Sequence, residues 1–263
     1  MEYDYNNKVA LITGSSRGIG FATALELGQL GFKVAICSKN KKNLDKAINI
    51  LDKKKIKYFA QSLNLNDSAS SKNFFKNVIK KFKKVDVLVN NFGGEPKGLR
   101  TNFVDTNIDI WKQTINMNLN SSILFTKLSL PYMIKNKWGR IINVSSLSAY
   151  NYKSRPWYTI AKKSQIDFVK SLSTRKEYVQ NGVTLNSVSP GSVLVEGSDW
   201  DNKKKQNLKK FNKDNLKNFV IGRLADPIEV AKVIKFLSSN DSSYINGVNI
   251  KIDGGQSNMN YED

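Results

Sequence analysis

Short runs of β-branched and other apolar residues alternate along the chain with longer segments in which apolar positions recur every three or four residues. The short runs predict strands at 9–13, 33–38, 58–64, 85–90, 140–145, 184–189 and 248–252. The longer ones predict helices at 19–30, 42–52, 70–82, 108–136, 157–178 and 227–237. Near-continuous apolar strands separated by helical segments define repeated βαβ units. They predict an α/β fold in which a doubly wound, parallel, seven-stranded sheet carries helices on both faces. No linker or internal repeat breaks the rhythm, so residues 1–263 are expected to form one domain. The exception is 192–219, which is polar, Lys-rich and weakly periodic. Its place late in the fold predicts a mobile cover over a substrate site.

Composition then removes several classes of function. No uncharged apolar stretch approaches the ~18 residues that span a bilayer, so no membrane segment is expected. The polar start Met-Glu-Tyr-Asp-Tyr-Asn-Asn lacks the basic and apolar regions of a signal peptide, which predicts a cytoplasmic location. Cys37 is the one cysteine and there is no His, which leaves neither a disulfide framework nor the usual zinc ligands, and no metal is expected. The formal net charge is +20, from 42 basic and 22 acidic residues. Polybasic surfaces bind nucleic acid by releasing counterions. Only six of the basic residues are Arg, however, and the Lys is scattered in clusters at 53–55, 80–84 and 203–210. That pattern reads as a solvated surface with no specific nucleic-acid partner. The other use for such a field is to attract an acidic substrate or carrier.

Two groups of residues carry chemistry. The first predicted strand runs into Thr13-Gly14-Ser15-Ser16-Arg17-Gly18-Ile19-Gly20 and then into a helix. Glycines at 14, 18 and 20 permit a tight turn and close backbone approach, and the helix N-terminus behind them favours a pyrophosphate. Tyr158 and Lys162 lie four apart on a predicted helix, on one face. An ammonium beside a phenol lowers its pKa from ~10 toward working pH, where the hydroxyl can exchange a proton with a carbonyl or alcohol. Taken singly, a glycine turn is often only a packing turn, and Tyr-x-x-x-Lys occurs on many amphipathic helices.

Further motifs appear in order: Asn90-Asn91-Phe92-Gly93, Asn118 within Asn116-Met117-Asn118-Leu119, Ser146 ending the fifth predicted strand, Pro190-Gly191 after the sixth, and Asp253-Gly254-Gly255 after the seventh. With Thr-Gly-x-x-x-Gly-x-Gly at the start and Tyr158-Thr159-Ile160-Ala161-Lys162 in the middle, the chain resembles the short-chain dehydrogenase/reductase family over nearly its whole length. The resemblance implies a single NAD(P)-binding Rossmann domain that transfers a hydride between a nicotinamide and a carbonyl or secondary alcohol. It implies catalytic roles for four residues. Tyr158 would exchange the proton, Ser146 would polarise the substrate oxygen, Lys162 would hold the nicotinamide ribose, and Asn118 would hold a water linking Lys162 to solvent. It implies cofactor contacts at Gly14, Ser16, Arg17, Gly18, Ile19, Gly20, Ser38, Lys39, Asn64, Leu65, Asn91, Gly93, Tyr158, Lys162, Pro190, Gly191 and Val193.

This chain departs from the family pattern at Phe92 in place of Ala, at Asn64 where Asp is frequent, and at Val195 where Thr is common. Many relatives have thirteen residues from Ser to Tyr. Ser145 has that spacing and Ser146 is one short, but Ser146 is the residue that ends the strand and is the favoured candidate. An acid at the end of the second strand would bind a ribose 2′-hydroxyl. Ser38 stands there instead, Lys39 follows it and Arg17 lies in the glycine turn, so NADPH is expected in preference to NADH.

A small-molecule carbonyl or alcohol substrate is expected between 94–103, 147–157 and 193–219, with Tyr150, Tyr152, Trp157 and Trp200 as candidate apolar walls. The acidic stretch 196–201 would suit a hydroxyl-rich ligand. Two substrate readings follow from the resemblance. One is a 3-oxoacyl-acyl-carrier-protein reductase-like enzyme, whose substrate is carrier-linked. The other acts on a sugar derivative in surface-carbohydrate synthesis. The resemblance also implies a homo-oligomer, commonly a tetramer, built on the long helices before residues 136 and 178 and on the C-terminal strand.

Overall fold

A computed structural model describes residues 4–96, 103–151, 154–208, 211, 212 and 219–258. Seven strands form one sheet, all parallel: β1 (Val9–Ile12), β2 (Lys33–Ser38), β3 (Tyr58–Ser62), β4 (Val87–Asn90), β5 (Gly139–Val144), β6 (Val183–Pro190) and β7 (Asn249–Ile252). Their order across the sheet is β3-β2-β1-β4-β5-β6-β7. The direction of winding reverses between β1 and β4, and in such sheets a crevice opens there, beyond the carboxyl ends of the strands.

Alternation along each strand sorts its side chains between two cores. Ala10 and Ile12 of β1 pack under α1 (Gly18–Gln29), α2 (Lys41–Lys53) and a late helix, Pro227–Leu237, through Leu27, Leu51 and Ile234. Leu11 faces the other way, toward α3 (Ser68–Phe82), α5 (Ser121–Lys135) and α6 (Pro156–Leu172), through Phe74, Phe125 and Val169. Both faces of the sheet are therefore dry, as the apolar strands require. Side-chain caps fix several helix starts, with Asn40 before α2, Asp67 before α3 and an Asp226–Glu229 capping box before the Pro227–Leu237 helix.

Three departures from the sequence reading bear on the site. The predicted helix 108–136 is α4 (Ile108–Ile115), one wide π turn (Asn116–Asn120), then α5. The Asn118 amide donates to the Thr114 carbonyl at 2.7 Å, competing with the backbone for that acceptor. The predicted helix 157–178 stops at Leu172, with a short α7 at Lys176–Val179. Ser173 and Thr174 turn their hydroxyls back onto the carbonyls of Lys170 and Ser171 at the break. Within 192–219 lies α8 (Asp199–Gln206), capped by Ser198 and polar on nearly every face, so no apolar period announced it. Trp200 on α8 packs edge-on against Phe211 and Phe219 in a small core of its own, which the late helix, here α9, follows.

Candidate active site

At the β1/β4 reversal a cleft of about 570 Å³ is lined by Ile19, Asn91, Gly93, Ser145, Ser146, Tyr158, Lys162, Pro190, Gly191 and Val193, together with Ser148, Asn151, Arg155, Trp200 and Gln256. Residues from more than half the chain length thus converge on one opening. The glycine turn forms its rim. Gly14 and Gly18 have φ of +63° and +57°, and a Cβ on Gly20 would lie 2.5 Å from the Asn91 amide nitrogen. Asn91 rivets the end of β4 to this turn by donating to the carbonyls of Thr13 and Gly14, each at 2.9 Å. Helix α1 begins with no side-chain cap and no acid in its first turn, so its leading N–H groups are left for an anion. These residues fit the pyrophosphate of a dinucleotide.

At the outer end of β2 there is no carboxylate: Ser16 donates to Ser38 at 2.8 Å, and Lys39 is exposed. Arg17 reaches across the turn and donates to the Glu196 carbonyl at 2.7 Å. Two other expected cofactor residues follow β3. Asn64 is exposed and its side chain accepts from Asn66 within its own turn, and Leu65 buries its side chain in the α3 core. Phe92, the departure from Ala, packs on that same core rather than into the cleft.

Ser146 and Tyr158 both line the floor of the cleft, and the Ser146 oxygen accepts from the Ser148 N–H at 3.1 Å. Ser145 is engaged elsewhere, donating to the Lys162 carbonyl at 2.8 Å from a buried position, which leaves Ser146 as the serine presented to a substrate. Burial pushes the Tyr158 phenol up to about 12, the Ser146 hydroxyl pulls it down, Glu95 adds to the rise and Arg155 opposes it. The sequence expectation that Lys162 lowers this pKa is not met. The ammonium is 5.7 Å from the Tyr158 ring centre and spends its hydrogen bonds on the Val144 carbonyl and Gln165 Oε1, each at 3.0 Å. Lys162 is 3% exposed, and desolvation pulls it down to about 7. The Asn118 side chain does not reach Lys162. It clamps Gly94, accepting from its N–H at 3.0 Å and donating to its carbonyl at 2.7 Å.

The substrate end differs from the sequence reading in its walls. Trp157 is fully buried, stacks edge-on with Trp111 and donates to Glu95 at 3.1 Å. Tyr150 turns away to Asn249, between Lys163 and Lys251. Tyr152 lies outside the described residues, and of the other three candidates Trp200 lines the cleft. Asp201, expected to face a ligand, instead accepts from the Gly197 N–H and Lys205. The residues that do line this end, Ser148, Asn151, Arg155 and Gln256, are polar; the first three fall in the expected segment 147–157, whereas sequence reading missed Gln256, which belongs to no motif. Arg155 pairs with Glu95 at 2.7 Å, and Gln256 accepts from the Ser192 N–H at 2.8 Å, pinning the exit of β6. Val195 rests on the glycine turn, where a Cβ on Gly18 would lie 2.9 Å from its Cγ1.

A nucleotide-fitting crevice joined to a Ser–Tyr–Lys floor defines a nicotinamide-dependent oxidoreductase, and comparison with known proteins agrees. Residues 14–257 match the family model described as Enoyl-(Acyl carrier protein) reductase. The 3-oxoacyl-[acyl-carrier-protein] reductase FabG of Thermotoga maritima is 34% identical over 249 residues, 94% of this chain and 97% of the relative. Meso-2,3-butanediol dehydrogenase of Serratia marcescens is 31% identical over 253 residues, 95% of each chain. Among solved structures, the NADPH-dependent reductase YwfH of bacilysin biosynthesis superposes with a TM-score of 0.83 at 25% identity, covering 96% of this chain and 98% of that one. The chain belongs to the short-chain dehydrogenase/reductase family. It is an NAD(P)-dependent enzyme that interconverts carbonyl and alcohol groups.

Proposed function

We propose that this enzyme is an NADPH-preferring carbonyl reductase in which Tyr158 is the proton donor, and the observation that carries this reading is the Ser146–Tyr158–Lys162 floor opening onto the glycine turn. When bound, the nicotinamide supplies the hydride. Ser146 donates a hydrogen bond to the substrate oxygen and polarises the carbonyl. Tyr158, neutral across the physiological range because burial raises its pKa, hands its proton to the same oxygen. Lys162, at the base of the cleft, would hold the nicotinamide ribose, and Asn118 holds Gly94 beside the cleft wall at Gly93. Ser38, Lys39 and Arg17 at the far end of the crevice, with no acid among them, support NADPH over NADH.

The similarity to 3-oxoacyl-carrier reductases supports a 3-oxoacyl thioester as substrate, delivered by an acidic carrier to a protein of net charge +20. A second reading, reduction of a sugar derivative, is favoured by the polar wall of Ser148, Asn151, Arg155 and Gln256. In either case the enzyme works as a homo-oligomer, commonly a tetramer in this family. The test is NADPH consumption with a 3-oxobutanoyl thioester, 2,3-butanedione and phosphorylated ketoses. Turnover of the thioester alone supports the first reading and turnover of the ketoses alone the second. With the substrate so found, Tyr158→Phe is expected to lose at least about a thousandfold in kcat, within the range for a proton-transfer group combined with its hydrogen bond, while NADPH binding stays within a few-fold. Retained turnover in Tyr158→Phe would sink the assignment.

A further inference from the structure

Beneath the cleft lies a fully buried side chain that no motif includes. Gln165 sits one turn after Lys162 on α6 and is 0% exposed. Its amide has three partners. Nε2 donates to the Asn118 carbonyl at 3.0 Å and to the Ser122 hydroxyl at 2.9 Å, and Oε1 accepts from the Lys162 ammonium at 3.0 Å. The two donor bonds remove the amide's rotational freedom. With its NH2 held by the π turn and α5, its oxygen is left pointing at Lys162. The network continues on the other side, where the Asn143 amide donates to the Gln165 main-chain carbonyl at 3.3 Å and itself accepts from Asn90 at 2.8 Å.

We propose that Gln165 is a positioning residue for the reaction: its oriented carbonyl fixes the Lys162 ammonium at the base of the cleft and ties it to the π turn through Asn118 and Ser122. The inference rests on the reading of Tyr158 and Lys162 given above. The ammonium needs such a partner because its other acceptor, the Val144 carbonyl on β5, is neutral, and burial works against its charge. The groups packed around Lys162 are Val144 of β5, Ser145 directly after it, Gly93 of the β4 loop, and Tyr158 and Gln165 on its own helix, with Asn118 and Ser122 behind Gln165. Tyr158 is the one titratable group among these, and no carboxylate bears on the ammonium. Removing the Gln165 oxygen therefore removes one of two dipoles that favour the charged lysine. Replacing it with a carboxylate adds a charge that favours it more.

The test uses the whole protein labelled with 13Cε-lysine and follows the titration of the Lys162 signal, identified by its absence in Lys162→Met. In Gln165→Met the midpoint is expected to fall by about one pH unit, the worth of one hydrogen bond to a charged group. In Gln165→Glu it is expected to rise above wild type. Opposite shifts in two substitutions at one buried position are not what lost packing alone would give. Unchanged midpoints, or shifts of both variants in the same direction, overturn the proposal. If Gln165→Met does not fold, Ser122→Ala decides the matter, because it releases one of the two bonds that aim the amide. A smaller fall in the midpoint is then expected, and no fall overturns the proposal. The titration needs no turnover, so its failure is distinct from retained turnover in Tyr158→Phe, which would overturn the reading of the site itself.

Discussion

At the residue scale, burial and hydrogen bonding set the two titrating groups of the cleft in opposite directions from their ordinary values. Burial holds Tyr158 neutral, with its proton in place, up to about 12. Lys162 is drawn down to about 7, so the folded protein binds fewer protons at this site than the unfolded chain between about pH 7 and the ordinary lysine value of 10.5. Stability from this group therefore rises with pH across that window, and its penalty is fully present below pH 7. Lys162→Met removes the penalty along with the two hydrogen bonds. The melting temperature of Lys162→Met minus that of wild type is expected to be most positive near pH 6 and to decline steadily toward pH 10. A difference flat in pH would contradict the burial argument. Ser38 gives a second prediction. A carboxylate at that position would repel a 2′-phosphate and accept from a 2′-hydroxyl, so Ser38→Asp is expected to lower kcat/KM for NADPH at least tenfold, about 1.4 kcal/mol, and to favour NADH. Initial rates with both cofactors at matched concentrations decide it.

The element that does most to shape the site is the β1–α1 turn, together with the segment that rests on it. Gly18 combines a positive φ with a Val195 contact that a Cβ would violate, and Arg17 donates across the same gap to the Glu196 carbonyl. Gly18→Ala meets both problems at once: a left-handed backbone strained by roughly 1–2 kcal/mol and a clash with the covering segment. NADPH affinity, read by fluorescence titration, is expected to fall at least tenfold, and Val195→Ala in the same background is expected to recover part of it. Full affinity in the single variant would show that the turn does not carry the phosphates. The π turn is the other shaping element. It places Asn118 and Ser122 on the inner face, where they hold Gly94 and Gln165, whereas the sequence reads 108–136 as one amphipathic helix.

At the scale of the molecule, the sheet ends in β7, whose outer edge is unpaired among the described strands. Val248, directly before β7, is exposed, as are Phe236 and, fully, Tyr244 elsewhere on the surface. An open strand edge and exposed large apolar side chains are both features that a second copy would cover. For the homo-oligomer proposed above, Phe236→Asp combined with Tyr244→Asp is expected to shift sedimentation to a smaller species. An unchanged sedimentation coefficient would move the interface elsewhere.

The apolar period by itself determined the seven strands, their alternation with helices and the parallel, doubly wound class, because burial on both faces of a sheet leaves a continuous apolar signature. The glycine turn, Tyr158 and Lys162 were legible too, since each sits in a motif whose spacing is local. Only the tertiary structure decided what surrounds them. Ser145 and Ser146 are neighbours with the same chemistry, and only their orientation at the end of β5 tells which faces a substrate. Trp157, Tyr150 and Asp201 satisfy themselves in contacts that do not line the cleft, while Gln256 and Gln165 are brought in from positions that carry no motif. The pKa values of Tyr158 and Lys162 are likewise tertiary properties. Four residues on a helix fix which face a pair shares, whereas burial and the partners each group finds across the fold fix its charge.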